Sequence, residues 1–103
     1  MGNQVMAIAD AAEKVTDEET LLDMLNTPNR RVPILLAERR DIGEEVLTAL
    51  ACHSRPDVRH HVLTYNGDRL PLRIVNELLN DKQEFVRKKA ESVLTRNTDQ
   101  ENI

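Results

Sequence analysis

A pattern that returns every 28 residues limits this chain more than any other feature of its sequence. Val58-Arg59 returns as Val86-Arg87, and Val46, Leu47, Leu50 and Ala51 return as Ile74, Val75, Leu78 and Leu79 at the same offset. A fixed period of a few tens of residues marks stacked supersecondary units, none of which buries its apolar face alone, and not a globule built round one pocket. The chain is therefore expected to be a recognition surface, with nothing in the residues that selects what it recognises.

Apolar residues cluster at helical spacing throughout, with no sustained alternation of the strand kind. Residues 3–14 predict a first helix with Val5, Ile8, Ala9 and Ala12 on one stripe. Thr16 and Glu19 form a capping box ahead of a helix that carries Leu21, Leu22 and Leu25 and stops at Pro28. Arg30 to Glu38 reads as a short helix that tolerates Pro33 in its first turn, where a missing N–H costs little. Asp41 with Glu44 is a second capping box, opening a helix to about His53. Pro56-Asp57 starts a short helix, Val58 to Tyr65, and Asn66-Gly67-Asp68 is a strong turn signal because Asn and Gly tolerate positive φ. Pro71 sits at a first helical position, and that helix reaches about Asn80. Asp81 with Glu84 is a third capping box, before a last helix from Phe85 to Thr95.

Laid out by period, residues 1–27 are N-terminal capping helices, residues 28–96 are the units 28–55, 56–83 and 84–96, and residues 97–103 are a frayed tail. Each unit holds a short helix, a turn and a longer helix. Arg31, Arg59 and Arg87 fall in register, as do Ile34, Val62 and Ala90.

These residues resemble the variant leucine-rich repeat, a bacterial relative of the HEAT repeat. The unit of that family reads roughly Leu-x-x-Leu-Ala-x-Asp, a short gap, Val-Arg-x-x-Val-Ala-x-Asn, then a proline-led helix. Leu47, Leu50 and Ala51 carry the first part, and Val75, Leu78, Leu79 and Asp81 carry it again. Val58-Arg59-His60-His61-Val62 with nearby Asn66, and Val86-Arg87-Lys88-Lys89-Ala90, carry the second. His53 stands where the family has Asp, and Arg30-Arg31 replaces Val-Arg in the first unit. The resemblance covers residues 28–96 and implies an all-α fold: a short right-handed solenoid of about seven helices with a generic binding role. One member of the family carries an iron–sulfur cluster on a cysteine-rich extension. Such a cluster needs about four thiolates, and Cys52 is the only cysteine here, so no cofactor is expected.

Composition narrows the function further. A single cysteine excludes an intrachain disulfide and points to a reducing, cytoplasmic setting. The longest apolar run, Val32 to Ala37, is far too short for a membrane span. The N-terminus shows no basic segment ahead of an apolar core, hence no expected signal peptide. Met1-Gly2 lacks the Ser or Thr at position 6 of a myristoylation signal, where Met stands. The net charge of −4 is uneven: residues 1–27 hold six acids and one base, residues 28–96 thirteen bases and ten acids.

The recurring arginines have two uses. One is an internal ladder, in which each guanidinium pairs with Asp57 or Asp81 and with helix-end carbonyls. The other is a row of donors for phosphates or partner carboxylates. The larger basic set of Arg30, Arg39, Arg40, Arg55, Arg59, Arg69, Arg73, Arg87, Lys88 and Lys89 would suit nucleic acid if it shared one face. Ten interspersed acids favour a mixed-charge surface instead, and with only Tyr65 and Phe85 to stack on bases, single-strand binding is disfavoured. His53, His60 and His61 lie near Cys52, yet adjacent His60 and His61 diverge on a helix and no i, i+4 ligand spacing occurs, so no metal is expected. The acid pairs Glu18-Glu19 and Glu44-Glu45 sit at helix starts, where the helix dipole explains them without catalysis. The expectation is thus a non-enzymatic module that binds another protein through Arg59, His60, Tyr65, Arg69, Arg87 and Lys88. Self-association through an open end is a further expectation, and nucleic-acid binding by residues 28–96 the alternative.

Overall fold

Six helices make up the regular structure of residues 17–101, the part described by the computed structural model, with side chains described to Arg96. They are α1 (Glu18–Met24), α2 (Arg31–Glu38), α3 (Glu44–Ala51), α4 (Pro56–Asn66), α5 (Leu72–Leu78) and α6 (Glu84–Glu101). No strand occurs among the described residues, and no helix there is long and apolar enough to cross a membrane. The helix expected over residues 3–14 and the cap expected at Thr16 lie outside the described residues.

The helices form two rows. In one row α1 packs on α3 and α3 touches α5; in the other α2 packs on α4 and α4 on α6. Successive helices join the rows through the α1–α2, α3–α4 and α5–α6 contacts, so the apolar stripes meet between the rows. Leu21, Val32, Leu36, Val46, Leu47, Leu50, Val58, Val62, Leu63, Val75, Val86, Ala90 and Val93 form one continuous aliphatic core. Val58 and Val86 are both fully buried, and so are Val62 and Ala90. Ile42 and Leu70, also 28 apart, are both core residues ahead of α3 and α5.

The first unit departs from the expected register. Val32 and Leu36 are fully buried while Ile34 is only half-buried, so Val32 and Leu36, not Ile34, take the i, i+4 core positions held by Val58 and Val62. Arg31 then falls on the exposed surface. Helix lengths also differ from expectation. At 8, 11 and 18 residues, α2, α4 and α6 equal or exceed α3 and α5 at 8 and 7. The chain beyond Leu78 turns into the Asp81 loop, whose polar groups bond arginines and do not prolong the helix. The α6 backbone runs to Glu101, past Thr95.

The expected capping boxes give way to stronger bonds. Asp17 caps α1, its carboxylate accepting the Thr20 N–H at 3.0 Å and the Thr20 hydroxyl at 2.6 Å. Asp41 is held by Arg39 through Nε and Nη2, both at 2.8 Å, because a bidentate charge-assisted pair outcompetes a neutral cap. Glu18 of α1 instead accepts the Val46 N–H in the first turn of α3 at 3.2 Å. Asp81 accepts the Gln83 N–H at 3.0 Å, while Glu84 pairs with Lys88 at 3.3 Å. Pro71 stands just before α5 and not inside it.

The Asn66-Gly67 turn forms without positive φ; Gly67 has φ −57°. Glycine is required there for space. A Cβ would lie 2.6 Å from the Leu63 carbonyl oxygen and 2.7 and 2.9 Å from the Val93 methyls, where α4 meets α6. Gly67→Ala is expected to destabilise the fold by about 1–3 kcal/mol through overpacking, read as a lower urea midpoint at unchanged slope.

Candidate protein-recognition face

Side chains of one helix bond the turn carbonyls of its neighbours. Arg59 Nη1 donates to the His53 and Ser54 carbonyls at 2.7 and 3.1 Å, while Nε and Nη2 grip the Asp81 carboxylate at 2.7 and 3.0 Å. Arg87, 28 residues on, donates Nη1 to the Asp81 carbonyl at 2.7 Å. The side chains of Arg59 and Asp81 are 14% and 7% exposed, so this pair is nearly dry. His53, the apparent departure from an Asp pattern, does the same local work as Asp81. Its Nδ1 accepts the Arg55 N–H at 3.1 Å as Asp81 Oδ1 accepts that of Gln83 at 3.0 Å.

The opposite edge is bonded likewise. Fully buried Asn66 donates to the Ala37 and Arg39 carbonyls at 2.7 and 3.0 Å, and Arg69 Nη2 to the Ile42 carbonyl at 2.7 Å. Arg40 reaches the Asp68 carboxylate and the Tyr65 carbonyl. Arg55 binds Asp57 and the Arg30 carbonyl. Of the six expected contact residues, Arg59, Arg69 and Arg87 therefore hold the helices together.

The side chains of His60, Tyr65 and Lys88 take no part in that bonding and lie on the outer side of the α2–α4–α6 row. The His60 ring sits 5.4 Å from that of Phe85 on α6, and the His61 ring 5.2 Å from that of Tyr65. His61 Nε2 lies 3.1 Å from Glu38 Oε2 of α2, so the two adjacent histidines point to opposite neighbours. Tyr65 and Phe85 are 44% and 46% exposed despite their size. Between α2 and α4 runs a groove of about 450 Å³ lined by Arg30, Arg31, Ile34, Leu35, Glu38, Arg55 and Asp57. Its Ile34 and Leu35 are half-buried, and the Arg30 and Arg31 guanidinium groups have no hydrogen-bond partner among the described residues. The sequence placed Arg31 among the recurring arginines and Ile34 at a register position, but neither of them nor Leu35 among the expected contact residues. The signal was a basic pair one turn ahead of two apolar residues, but the groove needs α4 alongside.

Charge divides between the rows. Helices α1, α3 and α5 carry six acids and one base; α2, α4 and α6 to Arg96 carry six bases and four acids, with His60 and His61. Burial, with the charges of Lys89 and His61, lowers the His60 pKa below its ordinary 6.5. Burial and the charges of Arg55 and Arg59 do the same for His53 against the opposing effect of Asp57. Burial raises the Asp81 pKa, but hydrogen bonds from Arg59 and Gln83 outweigh it and leave it below 3.8. Cys52 is a free, exposed thiol. Among the described residues no three His, Cys, Asp or Glu side chains gather as a metal ion would require.

Set against known proteins, the chain matches no family model and no curated sequence, and its structure matches no solved one.

Arg59→Ala is expected to cost about 2–4 kcal/mol, because it leaves the nearly dry Asp81 carboxylate unpaired. The double variant with Asp81→Ala should recover part of that loss in denaturant titrations, the signature of direct coupling. The lowered histidine pKa values give a pH slope of definite sign. A neutral folded-state histidine binds fewer protons than the unfolded chain, so stability is complete above 6.5 and falls as acid protonates the unfolded state. Urea midpoints measured between about pH 5 and 8 should rise with pH, and His53→Gln should flatten part of the rise.

Proposed function

We propose that this chain is a non-catalytic recognition module that binds another protein across the outer face of α2, α4 and α6. On this reading it is a short right-handed solenoid of units about 28 residues long, like the bacterial variant leucine-rich repeats that its sequence resembles, working in the cytoplasm. The observation that carries the proposal is the contrast between the two kinds of side chain. Arg59 and Arg87 bond turn carbonyls between the helices, while Tyr65 and Phe85 stay exposed beside His60 and His61 on one continuous row. Exposed aromatics with arginine nearby are the usual anchors of protein interfaces. The Arg30–Arg31 groove over Ile34 and Leu35 fits a partner segment with acidic and apolar side chains. The same structure weakens the nucleic-acid alternative, since Arg39, Arg40, Arg55, Arg59 and Lys88 of the basic set are paired with carboxylates.

Affinity capture from the native host, read by mass spectrometry, tests the proposal. Combining Arg31→Glu, Tyr65→Ala and Phe85→Ala should remove the captured partner while leaving the thermal melt nearly unchanged. Glu44→Lys with Glu45→Lys on the other row should retain it. Capture indifferent to the first variant would end this reading. Duplex binding that falls steeply with salt would install the nucleic-acid alternative.

A further inference from the structure

Arg59 and Arg87 make the same first bond and differ in the second. Each donates Nη1 to the carbonyl six residues earlier, at 2.7 Å in both cases. Arg59 then turns Nε and Nη2 on the Asp81 carboxylate. Arg87 is half-buried on the first turn of α6, and its Nε and Nη2 meet no acceptor among the described residues. The Arg59 pair is thus an internal template, in the same molecule, for what the Arg87 fork takes. It takes a planar carboxylate offered edge-on.

We infer that the Nε and Nη2 donors of Arg87 are a docking position for an aspartate or glutamate carboxylate of a separate acidic protein. This rests on the protein-recognition reading and names the partner chemistry for the α6 end of that face. The template also fixes how the carboxylate arrives. Asp81 presents its oxygens from a helix-start turn while accepting the Gln83 N–H two residues on, so an aspartate just ahead of a helix fits best. The surroundings favour an acidic visitor: Lys89 lies two residues beyond Arg87 on α6, while Lys88 is paired with Glu84, and the exposed ring of Phe85 supplies an apolar contact two residues before Arg87. A second copy stacked in continuation offers no acid at the matching turn. The corresponding α1–α2 turn, residues 25–30, reads Leu-Asn-Thr-Pro-Asn-Arg and contains no acid.

A displayed random-peptide library selected on the full chain tests this. Enriched peptides should carry an Asp or Glu beside apolar residues. Changing that acid to its amide should weaken binding about tenfold or more, the scale of a charged bidentate bond. Arg87→Gln should weaken the parent peptide equally and the amide peptide little. Arg87→Lys keeps the charge and one donor toward the Asp81 carbonyl but loses the fork, so it should also fail while the melt stays near wild type; this guards against simple unfolding. Peptides that ignore Arg87 but need Arg31 or Tyr65 would overturn the inference and leave the recognition face standing. Enrichment of peptides without acids, or of none at all, would overturn it too.

Discussion

The constraint on which the structure depends is the shortness of its helices. Five of the six run for only 7–11 residues, below the length at which an isolated helix survives in water. Such helices leave as many open backbone groups at their ends as they satisfy within. Here the neighbours supply the partners. Asn66 takes the end of α2, Arg59 the turn after α3, Arg87 the turn after α5, and Glu18 the start of α3. Each end is thereby tied to the packing of a helix some 25–29 residues away or to the next helix in line.

That arrangement separates two tasks along the sequence. Side chains aimed at the turns fix spacing between helices, and the rings of Tyr65 and Phe85 on the outer row take no part in that bonding. Arg59 and Tyr65 share α4 yet belong to different jobs: one is nearly dry against Asp81, the other half in water beside His61. Under the proposed recognition role, a rigid backing of this kind would hold the exposed rings in place before a partner arrives and so reduce the entropy lost on binding.

Much of the fold was legible because aliphatic spacing reports burial directly. Leu47, Leu50, Val58, Val62 and Val86 all lie in the core that their spacing predicts. Polar bonding was less legible, since an aspartate near both a helix start and an arginine has two good choices. Asp41 binds Arg39 in place of the cap, whereas Asp81 binds Arg59, as the ladder reading of the recurring arginines expects, and also accepts the Gln83 N–H; sequence alone does not show which arginine is within reach of Asp41. The first unit slipped because Arg31 looks like Arg59 in a linear alignment, whereas burial follows Val32 and Leu36. On the proposed recognition face, His60, Tyr65 and Lys88 could be picked out as amphipathic or charged residues. The α2–α4 groove could not, because its walls come from two helices and exist only once they are side by side.

The Asn66-Gly67 pair carries a chemical hazard as well as a structural role. Asparagine followed by glycine readily loses its side-chain amide, since the unhindered glycine nitrogen attacks the carboxamide and closes a succinimide ring. Here the glycine N–H is occupied by the Leu63 carbonyl and the Asn66 amide is clasped by two others. The folded state therefore shelters its own weakest link. A molecule that lingers open can emerge with a carboxylate aimed at two carbonyl oxygens, unable to close again, so each unfolding excursion acts as a tick of an ageing clock.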